Sequence, residues 1–524
     1  MKQKILALTL ALAMAAALLS GCGPSNPPAS APAESTVPSG TSAPSGASLT
    51  VGVMTDTDGF DPISSVNYLG CNLVYETLVD IDPETNEPVG VLAEHWEYRD
   101  DTHLYVKLYD DAAFSSGNPV TGQDVYWSWY RNVENNSSQL NNFEFIDWDN
   151  WEFISDKEFV ISFRQTFGPA VNYMTMCAFS VVDSTAMAGA TSEDYWSAPI
   201  GSGPYTVKEN VAGAYSSYVR NDSYWNPEAL PDAAEITVNN YSDTSTMFID
   251  FETGALDIAF GLDVTDADRV TDGQMEGAEL ETIPTNNVIS LAFPEYTEAL
   301  SDPRVREALA CALDVTALTD LAYGSLGTVA ASIVPSTVQY ALDVGVQAYD
   351  VERARQLLRE AGYSDGELAL DIVIVGNPTD ERMVTGIQAY FQAVGVALNI
   401  ESCDLATAIS HFMNSETDIV LNQGAVVSMD PWEVLQMNLS TSTNATIRVT
   451  DASFNEDLLA AKTTTDEAEQ ERAYQEAQQW LIDNHRFVPI CETEFAYVYR
   501  TDKISSVNTL CDEAITLRYV ELAG

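Results

Sequence analysis

Basic residues are scarce. The 524-residue chain carries 23 Lys and Arg against 78 Asp and Glu, a net charge of −55. Phosphate backbones are gripped by Lys and Arg, so this balance excludes a nucleic-acid-binding face. It equally excludes a polybasic membrane patch. Two readings of the acid excess stay open: a solvated surface that keeps the protein soluble, or an acidic cleft that selects a cationic ligand. Histidine is scarcer still. His95, His103, His411 and His485 are the only four, and none stands at zinc-ligand spacing. The chain has no G-x-S-x-G elbow, H-E-x-x-H pair or dinucleotide fingerprint. Gly201-Ser202-Gly203-Pro204 is no phosphate loop, because Pro204 lacks an N–H donor and no Lys-Ser/Thr follows. Acidic pairs are expected by chance among 78 carboxylates, so none is read as a glycosidase dyad. Neither a metal nor a cofactor is called for.

Long apolar runs are also missing from the body of the chain. The one such run, Ile5 to Leu18, follows Lys2 and Lys4 and ends in small residues. It is short for a membrane span and reads as an export signal over residues 1–21. Leu19-Ser20-Gly21-Cys22 looks like a bacterial lipobox, with Cys22 the residue expected to be lipidated. Residues 23–48 are dominated by Pro, Ser, Ala and Gly, so 22–48 is expected to be a flexible tether behind a lipid anchor. No Cys-x-x-Cys pair occurs among Cys71, Cys177, Cys311, Cys403, Cys491 and Cys511. In an exported protein six cysteines allow fifteen pairings; buried free thiols are the other reading.

What is present is an interleaving of helix and strand patterns without a repeat, which makes the class mixed α/β. Leu49–Val53 reads as a strand and Cys71–Val79 as an apolar helix. Leu104, Val106 and Leu108 alternate with Tyr105, Lys107 and Tyr109, as in a strand with one buried face. Ser116-Gly117-Asn118-Pro119 is a turn, and Thr121 is the expected N-cap of a helix through Val125 and Trp129. Two strands follow around 151–154 and 159–163, then a buried helix over 170–179. Gly201 and Gly203 are expected to supply backbone freedom at a chain crossing. Farther on, strand 368–375, helix 381–394 and strand 396–400 form a unit that favours a parallel crossover. A long helix over 466–483 precedes a strand opening near His485.

The stretch Pro88 to Trp129 carries a more specific message. Leu92-Ala93 … Trp96 … Asp101, then the alternating strand, then Phe114 … Gly117-Asn118-Pro119-Val120-Thr121-Gly122-Gln123-Asp124-Val125, resembles the signature of the family-5 extracellular solute-binding proteins. These are the oligopeptide, dipeptide and nickel receptors of ABC importers. Arg99 stands where a serine is common and Gly122 where an alanine is common. Further blocks follow in the family's order: Gly201–Tyr205, Arg220-Asn221 … Tyr224-Trp225, Gly254 … Asp257-Ile258-Ala259, and Asp302 … Arg304-Val305-Arg306 … Ala308-Leu309.

The resemblance implies a two-lobed, periplasmic-binding-protein-like fold of class II type with an extra subdomain, mixed sheets and a hinge between the lobes. Lobe I would take 49–87, 200–290 and 485–524, the subdomain 88–199, and lobe II 291–484. It implies no enzyme but a monomeric receptor outside the cytoplasm, held to the membrane by its lipid. The receptor would capture a small solute, an oligopeptide first, in a cleft between the lobes and pass it to permease subunits driven by cytoplasmic ATPases. A non-peptide solute (an oligosaccharide, an opine-like conjugate or a metal chelate) is the alternative; a surface enzyme or signalling receptor is the rival from another class. Peptide receptors of the family hold the ligand amine on an aspartate in the loop after the strand that Asp418–Leu421 matches. Here Val427 stands at that position, and Asp430 is the nearest carboxylate, either as a replacement or as the start of a turn. Position nominates Asn67, Tyr68, Asn286, Asn287, Asn422, Gln423 and Trp432 as further ligand contacts, amides and aromatics suiting a polar cleft. Trp148 and Trp151 are read as core.

Overall fold

The computed structural model describes residues 47–54, 59–64, 68–82, 85–189, 192–273, 275–439, 441, 447–507 and 516–523. The expected signal, Cys22, the tether as far as residue 46, Asn67 and Cys511 lie outside the described residues. Among the described residues no helix is long and apolar enough to cross a membrane.

Local patterning accounts for the stretch around Trp129. Leu104, Val106 and Leu108 are buried on one face of strand His103–Leu108. That strand pairs antiparallel with Ala93–Asp100 on one side and Glu158–Ser162 on the other, with Glu152–Phe153 completing a four-stranded sheet. Gly117 has φ 86°, as the turn requires. Thr121 then caps helix Gly122–Glu134 in a reciprocal box: Asp124 N donates to Thr121 Oγ1 (3.3 Å) and Thr121 N to Asp124 Oδ2 (2.9 Å). The helix buries Trp129, whose Nε1 donates to Phe179 O at 2.8 Å and whose ring meets Phe179 edge-on at 4.9 Å. Trp151, in the core as expected, stacks at 6.0 Å on Trp148, which is only half-buried against that core. The same core continues through Trp432, Phe454, Leu458, Tyr474 and Leu481, so this unit packs on helices Ala452–Lys462 and Glu467–Asp483. Gly168 N donates to Lys462 O (2.7 Å) across that contact.

A large mixed sheet organises the rest. Its spatial order is Val396–Cys403, Leu368–Val375, Ile419–Ala425, Ala278–Ala292, Phe487–Arg500, Ile258–Phe260, Ser48–Val53, Glu235–Asn240, Tyr215–Arg220 and Tyr205–Val211, with Gly327–Val329 also pairing Phe487–Arg500. Leu368–Val375 and Val396–Cys403 run parallel and are joined by helix Pro378–Ala393, the expected crossover. The two long central strands serve both halves. Ala278–Pro284 pairs with Glu494–Arg500 beside one core (Val51, Ile236, Ile258, Tyr497), and Val288–Ala292 with Phe487–Glu492 beside another (Leu291, Leu370, Ile372, Val488). The register slips between Pro284 and Val288, a bulge in which Thr285 Oγ1 lies 2.6 Å from Thr493 Oγ1 and donates to Thr493 O at 3.0 Å.

Three local expectations need correction. The first helix is Tyr68–Val74 rather than 71–79, because Glu76 turns inward to accept from Trp225 Nε1 (2.8 Å) and from Tyr224 Oη. The apolar segment 170–179 is not one helix: Ala170–Tyr173 is one turn without a side-chain cap, and Cys177–Phe179 is a separate 3₁₀ turn. Gly201 and Gly203 do not have positive φ. They are small because a Cβ at Gly201 would sit 1.9 Å from Val74 O, and one at Gly203 2.6 Å from Leu73 O. All five described cysteines are free thiols, and all but Cys403 are buried.

Candidate functional site

The C-terminal ends of the parallel strands open onto a cavity. Asn377 caps helix Pro378–Ala393 directly after strand Leu368–Val375, and Asp404 caps helix Leu405–Asn414 directly after strand Val396–Cys403. The second helix carries Leu405, Ile409 and Met413 at i, i+4 and i+8, hence on one face. These side chains are 60%, 49% and 52% exposed, an apolar stripe that no core among the described residues covers. Of this helix only Ala408 is fully buried. The stripe walls a cavity of about 740 Å³, together with Phe412, Met437 and Val420. An exposed apolar surface of this kind marks a place where something binds.

Polar groups converge on the same space: Tyr296, Asn377, Asp380, Asn422, Gln423 and Arg448. Asp380 is buried and accepts from Asn377 Nδ2 (2.7 Å) and, on both carboxylate oxygens, from Gln423 Nε2 (2.9 Å each). Burial raises its pKa, and the amide bonds oppose that rise. Arg448 is exposed, with φ 55°, and no hydrogen bond or ion pair from the described residues reaches its guanidinium. Burial pushes the Tyr296 phenol up to about 12 against the nearby positive charge of Arg448. Among the described residues no group of three or more His, Cys, Asp or Glu side chains could hold a metal ion.

The residues nominated from sequence divide into groups. Asn422 and Gln423 line the cavity. Asn286 and Asn287 sit in the bulge of the long strand. Asn286 is fully buried and ties the crossing to the loop, its Nδ2 donating to Val426 O and its carbonyl accepting from Val426 N (3.0 Å). The side-chain Oδ1 atoms of both asparagines are buried and have no hydrogen-bond partner among the described residues. Asp430 and Trp432 are placed elsewhere, in the core below the loop. Asp430 Oδ1 accepts from Trp432 N (2.8 Å) and Tyr474 Oη (2.6 Å), and burial lifts its pKa to about 6. Close by, Glu433 accepts from Ser428 N and Oγ (2.8 Å each), and burial takes its pKa to about 7. Lys462 Nζ lies 4.7 Å from the Trp432 ring centre. Tyr68 opens helix Tyr68–Val74, and Asn67 is outside the described residues.

Sequence reading missed Tyr296, Asp380, Leu405, Ile409, Phe412, Met413, Met437 and Arg448. Asn377-Pro378-Thr379-Asp380 does announce a helix start, but a capping pattern says nothing about a cavity. The apolar spacing in Leu405–Met413 announces a helix whose stripe would ordinarily face a core.

Comparison with known proteins agrees with this architecture. Residues 87–446 match the family model described as "Bacterial extracellular solute-binding proteins, family 5 Middle". Heme-binding protein A of Haemophilus influenzae is 24% identical over 474 residues, covering 83% of this chain and 85% of that protein. Glutathione-binding protein GsiB of Salmonella paratyphi A is 23% identical over 458 residues, covering 83% and 86%. The crystal structure of CtaP, an ABC-transporter substrate-binding protein from Listeria monocytogenes, superposes with a TM-score of 0.81 at 21% identity, covering 91% of this chain and all of that one, which shows a shared two-lobed fold.

Proposed function

Because the chain belongs to the bacterial extracellular solute-binding proteins of family 5, a family of extracytoplasmic receptors for ABC importers, we propose that it captures a peptide or peptide-like solute in the cavity beside Leu405–Asn414. The observation that carries this reading is the chemistry of the cavity wall. An uncovered apolar stripe faces strand-end amides, one carboxylate and one guanidinium within about 740 Å³. A peptide-like molecule offers the matching parts: apolar side chains, amide groups and terminal charges. One relative is named for glutathione, itself peptide-like, and another for heme, an apolar-bodied solute.

In the same reading the chain is anchored through a lipid on Cys22 and catalyses nothing. It works as a monomer and hands its solute to permease subunits coupled to cytoplasmic ATPases. Lobe I (49–87, 200–290, 485–524) and lobe II (291–484) move about the crossing at Thr285–Asn287 and Thr493, the subdomain 88–199 being carried on lobe I while it also packs on helices Ala452–Lys462 and Glu467–Asp483 of lobe II. The bulge supports that hinge, since it interrupts the ladder between the two halves. Asn286 and Asn287 act at the crossing, while Asn422 and Gln423 reach the solute. A thermal-shift panel of short peptides, glycans, heme and metal chelates tests the proposal. Stabilisation by peptides is the expected result; a clear shift from another class, with none from any peptide, overturns it.

A further inference from the structure

The thiols of Cys71 and Cys177 meet inside the molecule. Cys71 lies in helix Tyr68–Val74, Cys177 opens the 3₁₀ turn Cys177–Phe179, and these two elements pack together. Both side chains belong to one buried cluster, at 1% and 5% exposure. A hydrogen bond between the two thiols, with burial, pushes the Cys71 thiol well up. The backbone beside each is fixed: Val181 N donates to Glu76 O (2.9 Å), Gly203 N to Val74 O (2.9 Å), and Trp129 Nε1 to Phe179 O (2.8 Å). The other described cysteines are engaged elsewhere. Cys311 Sγ accepts from Gln347 Nε2 (3.8 Å), Cys403 Sγ donates to Ile374 O (3.7 Å) and Cys491 Sγ to Glu492 O (3.2 Å). Two thiols about a hundred residues apart in sequence are thus brought together in a chain whose family works outside the cytoplasm, where disulfides form and persist.

We propose that Cys71 and Cys177, free thiols in this structure, form a disulfide in the extracytoplasmic protein. The step is an exchange with a second disulfide, that of a small oxidised thiol or of a thiol oxidoreductase. The thiolate of Cys177, the less buried of the two, attacks one sulfur of that reagent and expels its other half as a thiolate. Cys71 then loses its proton and attacks Cys177 Sγ in the mixed disulfide. The Cys71–Cys177 bond forms as the mixed bond breaks, and the second half leaves. The protein thiols give up two electrons and two protons, and the reagent is reduced to two thiols. Because the thiolate is the attacking form and burial opposes it, the exchange takes place as the chain folds, before the core closes. The bond staples helix Tyr68–Val74 to the turn on which Trp129 rests.

Refolding of the full chain with oxidised or with reduced glutathione, then alkylation in denaturant and non-reducing peptide mass mapping, tests the assignment. Oxidised glutathione should yield a peptide pair linked through Cys71 and Cys177, with Cys311, Cys403 and Cys491 alkylated. The Tm of that product should lie about 4 °C above that of the reduced protein, from closure of a loop of about a hundred residues against the unfolding entropy of the whole chain. Cys71→Ala and Cys177→Ala should each lose this oxidation-dependent rise, and Cys403→Ala should keep it. Alkylation of both cysteines after oxidative refolding, linkage of either to a different cysteine, or an equal Tm rise in Cys71→Ala overturns the proposal. Mapping of protein exported by a bacterial cell and isolated without reductant decides the question if refolding fails.

Discussion

Replacing Asp430 by Asn probes the buried acid beneath the loop. The carboxylate is 2% exposed, its two bonds both end on Oδ1, and burial lifts its pKa from 3.8 to about 6. A rise of about 2 pH units corresponds to roughly 3 kcal/mol between protonation states. The native state therefore disfavours the charged form. The penalty is fully present above about pH 6 and is relieved as pH falls through 6 toward the unfolded value. Between pH 8 and pH 4.5 linkage gives the native protein about 2 kcal/mol from this one group. Unfolding entropy of about 2.1 cal/mol/K per residue, over 524 residues, converts this to about 2 °C in Tm. Asparagine keeps the acceptor oxygen for Tyr474 and Trp432 and does not titrate. The assay is scanning calorimetry of both proteins at pH 8 and pH 4.5. The Tm difference, native minus variant, should rise by about 2 °C at the lower pH. Because both proteins share every other carboxylate, the relief of the −55 net charge cancels in that comparison. Parallel pH profiles for the two proteins would refute the reasoning, since Asp430 would then not be a buried, uncompensated acid.

Other perturbations test other parts of the account. Gly201→Ala should destabilise the protein severely, by more than about 3 kcal/mol, because the added Cβ would lie 1.9 Å from Val74 O; a native Tm would contradict the close approach. Trp129→Ala should cost about 3–5 kcal/mol, read by chemical denaturation, because it empties the contact with Phe143, Trp151 and Phe179. Thr121→Ala should cost about 1 kcal/mol by the same measurement, through loss of the bond to Asp124 N. Ile409→Asp should leave Tm within about 1 °C, as surface changes do, because the side chain is half exposed. The same variant should abolish trileucine binding by calorimetry.

Much of the fold is legible because its signals are local. The Leu104–Leu108 alternation, the Thr121–Asp124 box and the strand–helix–strand unit at 368–400 each declare themselves within a few residues. Gly201 is a different case: its small size answers to the carbonyl of Val74, a partner distant in sequence, so composition suggests flexibility where the structure shows close packing. Glu76 ends the first helix for a similar reason, through Tyr224 and Trp225. The site is harder to read. Asn422 and Gln423 lie at a strand end and were accessible to positional reasoning, whereas Asp430 is nearest in sequence to Val427 and yet is drawn into the core by Tyr474. The apolar face of Leu405–Asn414 has the spacing of any core-facing helix, and it forms a wall because no element among the described residues covers it.

The central claim is that this receptor holds a short peptide-like solute on that wall. Its most direct test is a crystal structure of the protein with bound trileucine. Ligand density is expected against Leu405, Ile409 and Met413, within reach of Gln423 and Arg448. Density elsewhere in the molecule, with the cavity filled by solvent alone, would contradict it.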